Sequence, residues 1–219
     1  MSLSGLNTLQ LVSVALLPML FAIIVHEVAH GWMARRLGDP TAAMLGRLTL
    51  NPIKHIDPIG TILVPVIMVA TLGIAFGWAK PVPINWRNLH NPKRDMVLVA
   101  AAGPASNLLM ALAWAILARI AELLPASMNF VSVPLIYMGT IGILINTLLM
   151  VFNLIPLPPL DGGRVAVGLL PPRWSITLSR VEPYGIMVVL VLFMTGMLEK
   201  IIWPTIRLIS GIISKLVGL

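Results

Sequence analysis

The sequence lacks cysteine entirely and is poor in charge: none of its 219 residues is Cys, and 11% are Asp, Glu, Lys or Arg. The absence of cysteine excludes disulfide bonds and every zinc site built on thiolates, so a metal ion would need His, Asp, Glu or Asn ligands. Hydrophobic residues make up 58% of the chain, whereas a soluble domain is about 45–50% apolar and about 25% charged. Such a chain cannot bury its apolar surface in one water-soluble core, and lipid is therefore its expected solvent.

Long apolar segments predict an all-α polytopic membrane protein with about four to six membrane segments, because roughly 20 apolar residues span a bilayer. The clearest predicted spans cover about residues 6–37, 96–120, 133–152 and 185–203. No internal repeat or linker is evident, so residues 1–219 are interpreted as a single domain, with a core at about 6–165 and the span at 185–203 as a C-terminal addition. Residues 204–219 either cross the membrane or lie in its interface.

Basic residues cluster after the first apolar segment and again before the predicted span at 96–120. The first group is Arg35, Arg36, Arg47 and Lys54, and the second is Lys80, Arg87, Lys93 and Arg94. Basic loops stay in the cytoplasm, so residues 41–78 are expected to dip into the membrane and return, with a short strand near Met44–Leu50 as one part of this re-entrant element. The same rule accounts for the net charge of +7, and no nucleic-acid partner is expected.

The motif His26-Glu27-Val28-Ala29-His30 lies inside the first apolar segment. Residues four apart share one face of a helix, so two imidazoles can hold one zinc ion while the adjacent carboxylate acts as a base toward water. The alternative is a helix with two histidines that are satisfied by ordinary hydrogen bonds. Charged residues cost about 2.5–3.5 kcal/mol at the centre of a span and are usually functional there, which favours the metal site. Arg35 marks the expected cytoplasmic boundary and places His26 about 13 Å below it.

A catalytic zinc site has three protein ligands and one open position, so a third ligand is expected elsewhere in the chain. Most carboxylates occupy predicted turn, cap, loop or span-end positions: Asp39, Asp57, Asp95, Glu122, Glu182 and Glu199. Asp161 instead ends a proline-rich run and precedes Gly162 and Gly163. Prolines prevent a regular helix and glycines let backbone approach closely. A helix cap in a surface loop is the alternative for Asp161, but the missing ligand favours a place at the metal.

Together these motifs resemble the site-2 protease family of intramembrane zinc metalloproteases. The resemblance rests on residues 26–30 (HEVAH), 153–163 (NLIPLPPLDGG) and 103–107 (GPASN). Residues 46–52 (GRLTLNP) and 78–83 (WAKPVP) are similar to the compact subgroup, which lacks PDZ and CBS domains. The resemblance covers most of residues 20–165.

The resemblance implies a zinc metalloendopeptidase that cleaves membrane-protein substrates in or near their transmembrane segments, in regulated intramembrane proteolysis. It implies that His26, His30 and Asp161 bind Zn²⁺ and that Glu27 is the general base. Asn153 would be a further catalytic residue that holds substrate or its oxyanion, although Asn at this position is also a common helix C-cap. The expected location is the cytoplasmic membrane of a prokaryote, with the active site toward the cytoplasm.

Other functions fit parts of the same pattern. A zinc transporter or carrier also has intramembrane His and Asp residues, but these would be expected on several spans, and Glu27 beside His26 favours hydrolysis. A catalytically silent membrane scaffold is disfavoured because all the expected catalytic residues are present. A zinc hydrolase of lipids or small molecules would use the same core and differ in its substrate.

Overall fold

A computed structural model describes residues 5–72, 77 and 79–219, and within these residues the chain forms helices and turns but no β-strand. The longer helices are α1 (Thr8–Arg36), α4 (Pro92–Glu122), α5 (Asn129–Asn153) and α9 (Met197–Val217). The shorter helices are α2 (Thr41–Met44), α3 (Val64–Leu72), α6 (Asp161–Leu169), α7 (Pro172–Ser179) and α8 (Glu182–Met194). Single turns of 3₁₀ helix lie at Pro52–His55, Trp86–Asn88 and Ala126–Met128, and a π-helical turn lies at Pro58–Leu63.

Three helices among the described residues, α1, α4 and α5, are long and apolar enough to cross a membrane. The pair α7 and α8, bent by 65°, is a fourth candidate if the two helices form one broken span. These helices confirm the predicted all-α polytopic fold and make the chain an integral membrane protein.

Local sequence defines both ends of α1, the helix that carries the histidine motif. The Asn7 side chain accepts a hydrogen bond from the Gln10 N–H (2.9 Å), and the Gln10 side chain accepts one from the Asn7 N–H (3.0 Å). This reciprocal cap satisfies donors at the helix N-terminus. The helix ends at Arg36, and Gly38 then adopts a φ of 111°, a conformation that glycine tolerates.

Small residues allow α4 and α5 to pack closely. A Cβ atom added to Gly142 would lie 2.6 Å from Cδ1 of Trp114, and one added to Gly139 would lie 2.5 Å from Cβ of Ala118. Helices in lipid associate largely through such close van der Waals contacts. The α4–α5 pair in turn packs on the face of α1 that buries both histidines.

The segment between α1 and α4 begins and ends at the same end of the helix bundle. The His90 N–H donates to the Leu37 carbonyl at 2.9 Å, so the chain approaching α4 lies beside the end of α1. Residues 41–78 therefore make no net crossing of the bundle, as the charge of the flanking loops predicted. The apolar stretch 59–78 is helical as far as Leu72, and part of its remainder lies outside the described residues.

The predicted strand at Met44–Leu50 is wrong. α2 ends at Met44, and Gly46 adopts a φ of 62°, which turns the chain. The N–H groups of Gly46 and Arg47 donate to carbonyls three and five residues earlier, at 3.0 and 2.9 Å. Because these donors are used within a local turn, they cannot join a strand ladder.

The predicted C-terminal span at 185–203 is also divided in the structure. α8 ends at Met194, and Gly196 adopts a left-handed conformation with a φ of 69° before α9 begins at Met197. A single glycine with this φ is enough to end one helix and redirect the chain. Residues 204–217, whose position the sequence left open, therefore belong to α9.

Helix α9 packs along α5 in the opposite direction. Its Ile202 belongs to an apolar cluster that includes Ile155, just beyond the C-terminal end of α5. Its Ile213 packs in another cluster with Ile143 of α5 and Trp114 of α4. Hence α9 starts at the end of the bundle where α5 finishes and covers much of the length of α5.

Candidate metal centre

Three side chains that are distant in the sequence meet inside the helix bundle. Nε2 of His26 lies 3.1 Å from Nε2 of His30. Oδ2 of Asp161 lies 3.2 Å from the first of these nitrogens and 3.3 Å from the second. Both histidines are buried, and 14% of the Asp161 side chain is exposed. Within the described part of the chain, this is the single group of three His, Asp or Glu side chains placed to hold a metal ion.

Hydrogen bonds to the other nitrogen of each ring leave Nε2 available to a metal. Nδ1 of His26 lies 2.6 Å from Oδ1 of Asn107, and Nδ1 of His30 lies 2.7 Å from the carbonyl oxygen of Val99. Because both partners are acceptors, each Nδ1 carries the proton and donates. Each neutral ring therefore directs the lone pair of Nε2 toward the other ligand atoms.

The separations between the three atoms fit a zinc ion. Tetrahedral zinc binds imidazole nitrogen at about 2.0–2.1 Å, which puts neighbouring ligand atoms roughly 3.3–3.4 Å apart. The observed separations are 3.1, 3.2 and 3.3 Å. Oδ2 of Asp161 is buried and accepts no hydrogen bond from the described residues. A cation would satisfy this oxygen and both nitrogen lone pairs at once.

A chain of buried amide side chains supports His26 on the Nδ1 side of its ring. Nδ2 of Asn107 donates to the Ala22 carbonyl at 3.1 Å and to Oδ1 of Asn146 at 3.0 Å, and Asn146 donates to the Gly142 carbonyl at 2.9 Å. Both Asn side chains are fully buried. These bonds fix which atom of Asn107 faces His26 and connect α1, α4 and α5 at the site. The sequence analysis did not indicate the contact of Asn107 with a candidate ligand.

Gly103 leaves room for the two imidazoles. A Cβ atom added at this position would lie 2.5 Å from Cε1 of His30 and 2.6 Å from Cε1 of His26. Gly103 is the first residue of the 103–107 motif that contributes to the family resemblance. In the structure the same motif clears space beside the candidate ligands with its first residue and hydrogen-bonds one of them with its last.

The proline-rich segment brings Asp161 to the histidines. Asp161 is the first residue of α6, and the two glycines after it pack directly on the backbone of residues 154–158. A Cβ atom on Gly162 would lie 2.6 Å from the Ile155 carbonyl oxygen, and one on Gly163 would lie 2.7 Å from Cα of Pro158. This geometry agrees with two predictions from the sequence. The prolines are expected to prevent a regular helix, and the two glycines to let backbone approach closely. The peptide bond between Pro158 and Pro159 is cis.

Glu27 lies on α1 between the two candidate histidine ligands in sequence and is half-buried. Its Oε2 accepts a hydrogen bond from the Val82 N–H at 2.8 Å. No sequence pattern indicated the contact with Val82.

Asn153 is the last residue of α5, and its Nδ2 donates to the Leu149 carbonyl at 3.0 Å. Its catalytic role stays a prediction. Other predicted minor roles agree with the structure: Asp57 accepts hydrogen bonds from N–H groups at the start of the next helical turn, and Asp95 accepts one from the Asn91 N–H.

Comparisons with known proteins agree with this geometry. Residues 14–196 match the model of peptidase family M50. The chain is 41% identical over 200 residues to "Putative zinc metalloprotease YwhC" of Bacillus subtilis (strain 168), covering 91% of this chain and 88% of that protein. It is 34% identical over 182 residues to "Putative zinc metalloprotease Rip2" of Mycolicibacterium smegmatis, covering 83% of this chain and 66% of that protein. No solved structure matches. The chain therefore belongs to peptidase family M50 and is a zinc metalloprotease of the site-2 protease type.

Proposed function

We propose that the protein is an intramembrane endopeptidase that hydrolyses peptide bonds in or near the transmembrane segments of membrane-protein substrates, in regulated intramembrane proteolysis. The depth of the candidate metal centre carries this proposal. Both histidines and Glu27 lie on α1, a helix long and apolar enough to cross a membrane. His26 precedes Arg35 by nine residues, which corresponds to about 13 Å along the helix. A substrate bond cleaved there would lie within the bilayer.

In this proposal, His26, His30 and Asp161 hold the zinc ion. Zinc, when bound, acts as a Lewis acid that polarises the scissile carbonyl and lowers the pKa of water. Glu27 accepts the proton of the attacking water and delivers it to the leaving amine. Asn153 helps to hold the substrate or its oxyanion. Peptide carbonyls of a helical substrate are engaged in intrahelical hydrogen bonds, so the substrate must unwind at the site.

We infer that the site end of the bundle faces the cytoplasm of a prokaryotic cell. Eight Lys and Arg residues lie in the stretch that runs from the last turn of α1 to the first turn of α4, and these two helix ends meet at this end of the bundle. The connection between α4 and α5, at the opposite end, contains no Lys or Arg, and Arg119 lies in the last turn of α4. Basic residues gather on the cytoplasmic side of membrane proteins. The bacterial origin of the relatives supports a prokaryotic cytoplasmic membrane.

The decisive experiment compares wild-type protein with Glu27→Gln in detergent, using a model single-span substrate with and without a zinc chelator. We expect chelator-sensitive cleavage by the wild type, and at least a 10²-fold slower rate in the variant with zinc still bound, because the amide cannot accept the proton. The matched control is Glu122→Gln, an exposed position at the far end of α4, which should cleave at the wild-type rate.

Full activity of Glu27→Gln would contradict the assigned base. Zinc bound stoichiometrically to a wild-type protein that cleaves none of several single-span substrates would favour a carrier or scaffold instead. Cleavage of lipid or small-molecule esters alone would retain the metal chemistry but reject the proposed substrate class.

A further inference from the structure

The backbone around Val82 presents one hydrogen-bond donor to the candidate catalytic carboxylate. Pro81 and Pro83 have no N–H group, so Val82 supplies the single main-chain donor of this tripeptide. That N–H points to Oε2 of Glu27 at 2.8 Å. A carboxylate oxygen that accepts this bond is held in one orientation, while the other oxygen, Oε1, remains available to water.

The buried Arg47 holds the other side of the same peptide group. Its Nη2 donates to the Pro81 carbonyl at 3.3 Å and to the Lys80 carbonyl at 2.9 Å. The Pro81 carbonyl and the Val82 N–H belong to one peptide plane, which is rigid. Rotation of this plane would therefore weaken the bonds to Arg47 and Glu27 together.

Burial of the charged Arg47 side chain costs free energy that packing alone does not offset. It is 8% exposed, and in the described part of the chain no carboxylate forms a salt bridge with it. Its Nε also lacks a hydrogen-bond partner among the described residues. A buried charge without a counterion is usually destabilising relative to an apolar residue, so a requirement of function explains its position better.

Further contacts fix the Lys80–Pro83 segment against α1. The Lys80 N–H donates to the His55 carbonyl at 2.9 Å. The Val82 side chain is buried, and a Cβ atom added to Gly31 would lie 2.7 Å from its Cγ1. Gly31 lies one helical turn after Glu27, so the absence of a side chain there allows the segment to approach the turn that carries the carboxylate.

We propose that Arg47 is a positioning residue for peptide hydrolysis: through the Pro81–Val82 peptide group it orients the carboxylate of Glu27 so that Oε1 receives the proton from water. This inference rests on the proposed role of Glu27 as the base. Arg47 itself does not contact the substrate or the metal ligands in this mechanism. It acts by keeping one hydrogen-bond donor aimed at the reacting carboxylate.

The kinetic test compares Arg47→Met, Arg47→Lys and the control Arg94→Met with the wild-type zinc-loaded enzyme. Met keeps an unbranched apolar side chain but has no donor, whereas Lys can still donate to the Lys80 and Pro81 carbonyls. Arg94 is exposed in the first turn of α4, so Arg94→Met removes one positive charge, as Arg47→Met does, but at an exposed position. Small misplacement of a reacting group costs up to about 10²-fold, so kcat should fall about 10–100-fold in Arg47→Met. KM should stay within about twofold, and Arg47→Lys should recover most of kcat.

A second readout does not depend on activity. Amide hydrogen exchange resolved to single residues should show faster exchange at Val82 in Arg47→Met and in Glu27→Ala than in the wild type, with Arg94→Met unchanged. Exchange of an N–H in a lasting hydrogen bond requires local opening. This arm tests the contact even if the wild type cleaves no substrate, which would count against the proposed function alone.

Several results would overturn the proposal. An unchanged kcat in Arg47→Met, or unchanged exchange at Val82, would remove the link between Arg47 and Glu27. A raised KM at constant kcat would indicate a substrate-binding role. Arg47 would have only a structural role if its substitution caused loss of zinc. The same conclusion would follow if activity fell in both Arg47 variants in proportion to a lower unfolding temperature.

Discussion

At the scale of single residues, the space around the two imidazoles depends on Gly103. Any side chain at this position would meet both rings, since even a Cβ atom lies 2.5–2.6 Å from their Cε1 atoms. The rings are not free to move away, because Nδ1 of each ring is hydrogen-bonded to α4 itself, through Asn107 and the Val99 carbonyl. The methyl group of alanine would therefore displace at least one ring from the other ligand atoms.

We expect Gly103→Ala to lower zinc affinity at least 10–100-fold, similar in size to the loss of an outer hydrogen-bond partner of a ligand. Metal analysis after dialysis against a graded zinc buffer would measure this. Gly211→Ala is the matched control, because the position in α9 is open, and alanine there favours the helix. Unchanged zinc affinity in Gly103→Ala would show that the rings can shift without losing the metal.

The candidate ligands could be predicted from the sequence, but their supports could not. His26, Glu27 and His30 have helical spacing and are rare residue types within an apolar segment, so one local pattern indicates their role. The contacts of Asn107 with His26 and of Val82 with Glu27 join positions 81 and 55 residues apart. They depend on how α4 and an irregular segment approach α1, which no local pattern specifies.

At the scale of elements, Asp39 fastens the end of α1 to the segment that contacts the site. It is fully buried and accepts hydrogen bonds from the Asn85 N–H (2.7 Å), from Nδ2 of Asn88 (2.9 Å) and from Thr41. Burial would raise its pKa, but the hydrogen bonds from Thr41, Asn88 and Asn85 outweigh that effect and lower the pKa below its usual range. The sequence indicated a turn residue here; the structure shows that this turn anchors residues 85–88.

We expect Asp39→Asn to destabilise the protein by about 1–3 kcal/mol at pH 7, because buried donors lose a charged acceptor. Since the folded pKa of Asp39 is lowered, its stabilising contribution is present above the unfolded value of about 3.9 and is lost as the pH falls through the folded pKa. In detergent, the unfolding temperature of the variant should therefore be lower than that of the wild type at pH 7 and pH 5. This difference in unfolding temperature should become smaller below about pH 4. A gap that does not change with pH would assign the effect to packing rather than charge.

Breaks between elements explain where sequence reasoning failed. The strand expected at Met44–Leu50 and the single span expected at 185–203 both have suitable apolar residues, yet each contains a glycine with positive φ, Gly46 or Gly196. Hydrophobicity measures how well a segment suits lipid or a core, but a single backbone conformation decides where the chain turns. Neither glycine has a nearby group that would meet a Cβ atom, so conformation rather than crowding accounts for both turns.

At the scale of the whole molecule, the proposed metal site joins parts of the fold that are far apart in the sequence. His26 and His30 lie on α1, whereas Asp161 begins α6, after the proline-rich segment. The ligand atoms of these elements converge within 4.8 Å, and Oδ2 of Asp161 accepts no hydrogen bond from the described residues. Zinc is therefore expected to act as a cross-link between α1 and α6 as well as in catalysis.

Removal of zinc should accordingly loosen the attachment of α6. A ligand that binds only the folded state stabilises it by about 4 kcal/mol at a thousandfold excess over its Kd, so chelation should lower the unfolding temperature of the wild type and speed amide exchange in residues 153–163. Asp161→Ala should lose most of this response to the chelator, because its remaining two ligands hold the ion weakly and no longer connect α6. If metal analysis shows that zinc has left the wild type while its unfolding temperature and exchange at 153–163 stay the same, the proposed ligands do not bridge the two helices.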